Sequence, residues 1–355
     1  MDKAVALNPQ GYNEFIKKKV LVLIALAVLA LGVALLSILA GSSGLTLGEV
    51  FASLFGQGTA KTNAIVWNVR LPRIVTAMVV GGALAMSGCV MQSVLRNPLA
   101  SASTLGVSQG AAFGATAAII LFGAGVQNSA SAASAISISN PYLVTLCAFG
   151  GGIISTLVVL GLSRVRRISP QSMVLAGVAL SSLFTGGTTL LQYFADDVQV
   201  AAVVFWTFGD LGRTSWQEIA LIAGITLAAG LYFFANRWNY NAMEAGPHTA
   251  QSLGVNVGAV MLAGMTVSSL VASTAVSFVG IINFVGLVAP HMVRKFVGND
   301  YRFLLPASML MGMVILLVSD LAGRLAVAPV ILPIGAITSF LGAPLFLYMI
   351  FKGVR

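Results

Sequence analysis

Long apolar runs, parted by short stretches that hold nearly all the charges, set the pattern of this chain. From Ile74 to Leu95, 22 residues pass without a charge. At about 1.5 Å per helical residue this run crosses a hydrocarbon core about 30 Å thick. Arg96 closes it, and Asn97-Pro98 turns the chain, because a residue before proline avoids the α region. Comparable runs predict helices at Val20–Ala40, Thr104–Phe122, Tyr142–Leu162, Ser172–Phe194, Gln217–Ala235, Phe303–Leu321 and Ile334–Phe351. Val257 to Val293 holds no Asp, Glu, Lys or Arg. That length is too great for one crossing, and basic residues bracket both ends. It therefore divides near Gly280 into two short spans.

Ten spans result, in an all-α polytopic membrane protein with both termini on the cytoplasmic side. The first run has 21 residues, more than the roughly 7–15 of a signal peptide's apolar region, so it reads as a retained span. Lys17, Lys18 and Lys19 place residues 1–19 in the cytoplasm. With this orientation 14 Lys/Arg fall inside and five outside, namely Lys61, Arg70, Arg73, Arg213 and Arg324. That asymmetry supports the topology. Ten spans allow two five-helix halves of opposite orientation, but the only internal echo is L-G-V at Leu105–Val107 and Leu253–Val255. Residues 1–355 read as one transmembrane domain, with a polar cytoplasmic island at 236–256.

Composition agrees. The chain is 58% hydrophobic and 8% charged, against about 25% charged in soluble domains. The net charge of +9 follows from basic loops scattered between spans and does not point to nucleic acid. Cys89 and Cys147 lie in apolar runs and give no disulfide framework. His248 and His291 have no ligand-spaced partners, so no metal site is expected.

The stretch R-L-P-R at Arg70–Arg73, then G-A-L-A-x-S-G-x-x-M-Q and N-P-L-A-x-x-x-x-L-G-V-S-x-G-A, resembles the FecCD family. These are permeases of bacterial ABC importers for iron–siderophores, haem and cobalamin. E-x-x-x-x-x-A-x-S-L-G-V from Glu244, V-G-L-V-A-P-H-M-V-R before Lys295 and D-L-A-G-R-L from Asp320 extend the resemblance from about Leu45 to the end.

The resemblance implies sites, each with a plainer alternative. Glu244, His248, Gln251, Ser252, Leu253 and Gly254 form the segment that couples to an ATPase subunit; otherwise His248–Leu253 is an ordinary loop helix ended by Gly254. Arg70, Arg73 and Arg324 dock glutamates of a binding protein; otherwise they anchor the outer interface. Asp320 and Arg324, four apart, share one helix face. Asn97 and Leu99, with Pro170 and Gln171, line a cytoplasmic gate; otherwise they only punctuate helices. The second of these turns departs from the family's small hydroxyl residues. Ser181, Ser182, Thr185, Thr188 and Thr189 line a polar pathway or bond to the backbone four residues back.

An ion-coupled secondary transporter would need ionisable groups inside its spans, and the span centres hold none. A membrane enzyme would need a nucleophile or metal-ligand set, and none is written here. No G-x-x-x-x-G-K-[ST] loop occurs, so ATP and Mg belong to a partner ATPase. The resemblance implies two permease copies, two ATPase subunits and one periplasmic or lipid-anchored binding protein, at the cytoplasmic membrane of a bacterium or archaeon. A ferric siderophore is the expected cargo, with haem and cobalamin as alternatives.

Overall fold

The computed structural model describes residues 9–40, 45–126, 137–138, 140–166, 169–328 and 330–351. Lys3, most of the 123–140 connection, Arg167, Ile168, Lys352 and Arg355 lie outside the described residues. Fifteen α-helices run through the described chain: α1 Pro9–Leu39, α2 Leu47–Leu54, α3 Ala60–Ile65, α4 Leu71–Val94, α5 Val107–Leu121, α6 Pro141–Arg166, α7 Pro170–Tyr193, α8 Asp197–Thr207, α9 Trp216–Ala235, α10 Arg237–Glu244, α11 Pro247–Ser252, α12 Val257–Val279, α13 Val285–Val297, α14 Tyr301–Leu325 and α15 Ile334–Phe351. A two-residue strand pair, Gly125–Val126 with Ser137–Ile138, follows α5.

Each of the ten expected runs carries one helix. Seven helices are long and apolar enough to cross a membrane: α1, α4 with its leading turns, α6, α7, α9, α12 and α14. α5, α13 and α15 are shorter. The charge-free run does break where expected. α12 ends at Val279, Gly280 takes φ +83°, and α13 restarts after Phe284 at φ +65°.

Three features depart from the sequence expectation. α1 begins at Pro9, well before Val20, and carries the lysines within the helix. Lys19 stays only 5% exposed because its ammonium lies over the rings of Phe15 and Phe303. The stretch before Asn68, which holds no long apolar run, is helical as well. Thr46 and Glu49 form a capping box on α2, Thr59 caps α3, and a π-type turn at Val66–Arg70 runs straight into α4. α8, capped by Asp196 and Gln199, occupies the aromatic stretch between α7 and α9.

α4 is the axis of the bundle. It is buried along nearly its whole length and packs against α9, α12, α13 and α14. Glycines permit this closeness. A Cβ on Gly88 would overlap the carbonyl of Gly286 in α13, and one on Gly81 would overlap that of Gly312 in α14. Without a solvent-driven force between helices in lipid, such close backbone packing is a main source of cohesion.

Candidate functional site

At one end of the bundle, α4 starts and α14 finishes. Arg73 Nε donates to Asp320 Oδ1 at 2.7 Å, and Arg73 Nη1 donates to Asp210 Oδ1 at 3.1 Å. The other oxygen of Asp320 accepts from Arg324 Nε at 2.9 Å, one helical turn on. Arg324 Nη1 also donates to Ala40 O at 2.7 Å, and its Nη2 reaches Ser37 O at 3.2 Å and Ser37 Oγ. Arg70 Nη1 donates to the carbonyl of Ile38. Asp320 is fully buried as a side chain, and Arg73 and Arg324 are about one-tenth exposed.

Sequence reasoning placed these three arginines on one side of the membrane, as docking groups or as interface anchors. The structure does gather them, but turns them inward. They hold α1, α4, α14 and the loop after α8 together, because a carboxylate buried among helix ends must be matched by cations. Arg73 also lines an open cleft of about 400 Å³, together with Phe205, Asp210 and Arg213.

At the opposite end, α10 and α11 form the polar island between α9 and α12. Gly246 at φ +110° and Gly254 at φ +82° bracket α11, as the Gly246-Pro247 start and Gly254 stop predicted. Ala250 is buried and anchors α11, while Glu244, His248, Gln251, Ser252, Leu253 and Gly254 are exposed. Ser252 Oγ donates back to His248 O at 3.0 Å.

α10 is clamped to the bundle by contacts that sequence reasoning missed. Asn241 Nδ2 donates to Asp300 Oδ1 at 3.2 Å, and Asn241 Oδ1 accepts from Tyr301 N at 2.8 Å. Tyr301 Oη donates to Cys89 O of α4 at 2.9 Å, and its ring stacks 5.4 Å from Tyr240. Asp300 caps α14 and accepts from Arg302. Burial alone would raise the Asp300 carboxyl, but the bonds from Arg302 and Asn241 outweigh it and hold it below the usual carboxylate value. Asp300 ahead of an apolar run was a legible cap; its partner Asn241, 59 residues away, was not.

The residues expected to line a gate and a pathway divide. Asn97 Oδ1 accepts from Leu99 N at 2.9 Å, which tightens the loop, and Arg96 before it adopts φ +46°. Leu99 is 41% exposed. Pro170 and Gln171 occupy the first turn of α7, capped by Ser169. α7 meets the turn after the loop at Gly177, where a Cβ would overlap Thr104 O. Along α7, Ser181, Ser182, Thr185 and Thr189 donate to carbonyls four residues back. Thr188 Oγ1 is buried and has no partner among the described residues. Four of the five hydroxyls are thus satisfied by their own helix.

A third feature adjoins α10 and α11. A cavity of about 480 Å³ opens between the α4–α5 loop, the end of α10 and the end of α13, lined by Arg96, Asn97, Glu244, His291, Arg294 and Lys295. Of these, His291, Arg294 and Lys295 entered the sequence analysis without a site role.

Fold and site define a class: a multi-pass helical permease with a buried charge cluster at one end and an exposed polar helix pair at the other. The FecCD transport family model matches residues 26–352, and the chain belongs to that family of ABC transporter permeases. A chain of Methanocaldococcus jannaschii, provisionally named as an ABC transporter permease protein, is 50% identical over 97% of this chain and 98% of its own length. The hemin transport system permease protein HmuU of Yersinia pestis is 34% identical over 93% of this chain and 94% of its own. The vitamin B12 import system permease protein BtuC of Shigella boydii is 34% identical over 94% and 95%. A solved inward-facing structure of a transporter provisionally assigned to the metal-chelate ABC type superposes with a TM-score of 0.79 at 29% identity, covering 93% of this chain and 99% of that one.

Proposed function

We propose that this chain is the membrane subunit of an ATP-driven importer that carries a ferric siderophore, or a similarly large metal chelate, into the cytoplasm. Haem and cobalamin are the second reading, because permeases named for hemin and vitamin B12 are both 34% identical to it. In this reading all ten helices of the apolar runs cross the cytoplasmic membrane, with both termini inside. Two copies of the chain work with two ATPase subunits, which hold ATP and Mg, and one periplasmic or lipid-anchored binding protein.

The observation that carries the reading is the pairing of α4 with α14. These antiparallel helices meet at the outer end through Arg73 and Asp320 and at the inner end through Cys89 and Tyr301. Tyr301 and Asp300 are in turn held by Asn241 of the exposed α10–α11 island. A pull on the island by a closing ATPase pair is thereby delivered to a helix pair that reaches the outer face. The loop at Asn97–Leu99 and the start of α7 at Pro170–Gln171 serve as the inner gate, and Thr188 is the pathway candidate among the α7 hydroxyls. Arg70, Arg73 and Arg324 serve docking by holding the outer face in shape. Direct contact with binding-protein carboxylates requires them to leave Asp320, and Arg73, at the cleft, is best placed for that.

The test is uptake into proteoliposomes holding this chain with its ATPase and a loaded binding protein. ATP-dependent entry of ferrichrome, haemin or cyanocobalamin supports the reading and selects the cargo. Uptake driven by a proton gradient with no ATPase present would overturn it.

A further inference from the structure

We propose that the basic cavity beside the coupling segment receives a carboxylate side chain of the partner ATPase. The inference rests on the proposed function and names the chemistry of one contact within it.

The cavity is cationic. Arg96, Arg294 and Lys295 face it with Glu244 as the one carboxylate and His291 beside them. Arg294 lines it, and its Nε and Nη2 are buried with no hydrogen-bond partner among the described residues, so the guanidinium must turn to present them to an incoming group. These two nitrogens lie along one edge of the guanidinium. Their N–H bonds run nearly parallel, the geometry that takes both oxygens of one carboxylate. Buried donors of a charged group are seldom left unpaired. Lys295 is exposed at the rim, where a mobile ammonium reaches an incoming anion as a point charge.

Position selects the partner. Glu244 is the last residue of α10, so the cavity wall continues into the island that faces the ATPase in the proposed assembly. Asn97 and Pro98 of the gate loop form another wall. A carboxylate seated on Arg294 would therefore touch both the coupling island and the gate loop. That gives the ATPase a second grip besides α11. Glu244 opposes an incoming acid but is outnumbered by three permanent cations.

The experiment uses the assembled permease–ATPase complex and a water-soluble carbodiimide, which joins a carboxylate to an amine only when they touch. Peptide mapping is expected to find Lys295 linked to an Asp or Glu of the ATPase, and the link is expected to fall several-fold in Arg294→Gln and to recover in part in Arg294→Lys. A benzoylphenylalanine at Gln251 in the same preparations reports whether α11 meets the ATPase. Lys295 linked only to Glu244, or to nothing, while position 251 crosslinks normally, overturns the inference and leaves the proposed function standing. Failure of both crosslinks removes both. A separate arm measures acetylation of Lys295 without ATPase. Protection by phosphatidylglycerol vesicles or by inorganic phosphate equal to that given by the ATPase would make the cavity a phosphate site and overturn the carboxylate assignment.

Discussion

Arg73 and Asp320 meet at 2.7 Å although 247 residues separate them in the chain. The aspartate holds a second arginine, Arg324, on its other oxygen. One fully buried carboxylate thus bridges two guanidiniums at the junction of α1, α4 and α14, and Asp210 supplies the second negative charge, to Arg73. Asp320→Ala should leave both cations facing each other and cost about 3–5 kcal/mol, the usual penalty for breaking a buried pair. The expected outcome is a large drop in the melting temperature of the detergent-solubilised protein. Asp320→Glu should recover only part of it, since the longer side chain shifts both contacts. An unchanged melting temperature would return these residues to a surface role.

Gly88 and Gly224 should respond to alanine in opposite ways. A Cβ at Gly88 would overlap the Gly286 carbonyl, whereas at Gly224 of α9 no atom lies within 4 Å. Gly88→Ala is expected to separate α4 from α13 and to abolish folded protein, because backbone cannot yield as a side-chain end can. Gly224→Ala should be neutral or stabilise by about 0.4–1 kcal/mol through the unfolded chain. Size-exclusion profiles and thermal melts of the two variants provide the comparison.

The proposed coupling island should be separable from assembly of the bundle. Glu244 and Gln251 are exposed. Glu244→Arg combined with Gln251→Arg should leave the melting temperature unchanged and abolish ATP-driven uptake, while ATP hydrolysis continues. New charges buried in a partner's cleft without counterparts would cause that loss. Normal transport by this double variant would remove the coupling role.

Asp300 should give the α10 end of the bundle an acid-sensitive step. Its carboxyl is held below the ordinary 3.8 by Arg302 and Asn241, against the opposing effect of burial. A carboxyl with a depressed folded-state value contributes stability that is present above its unfolded value. That contribution is lost as pH falls through the folded value. Melting temperature should therefore fall as pH drops below about 4, and Asp300→Asn should flatten that fall while lowering stability at pH 7. A parallel acid profile in Asp300→Asn would exclude the linkage.

The helices were legible because each apolar run carries its own evidence. Length, terminal charge and Pro or Gly punctuation are local properties, and Ile74–Leu95, the break at Gly280 and the α11 bracket at Gly246 and Gly254 all fell where they were expected. The first turns of α2, α8 and α9 were written as capping pairs three residues apart, yet α2 and α8 lay outside the runs read as spans. Their apolar content was too short to register as a span.

The arginines mark the limit of the sequence by itself. It determined that Arg70, Arg73 and Arg324 share one end of the bundle, since hydropathy and charge fix which side each loop takes. It did not determine whether their guanidiniums face water or protein. That depended on Asp320 and Asp210 and on the carbonyls at the end of α1, brought together from distant segments. The same holds at the opposite end, where Asn241 finds Asp300 and Tyr301 finds Cys89 O. Local order follows from spacing along the chain; the pairing of buried polar groups follows from which helices lie side by side, and only the tertiary structure decides that.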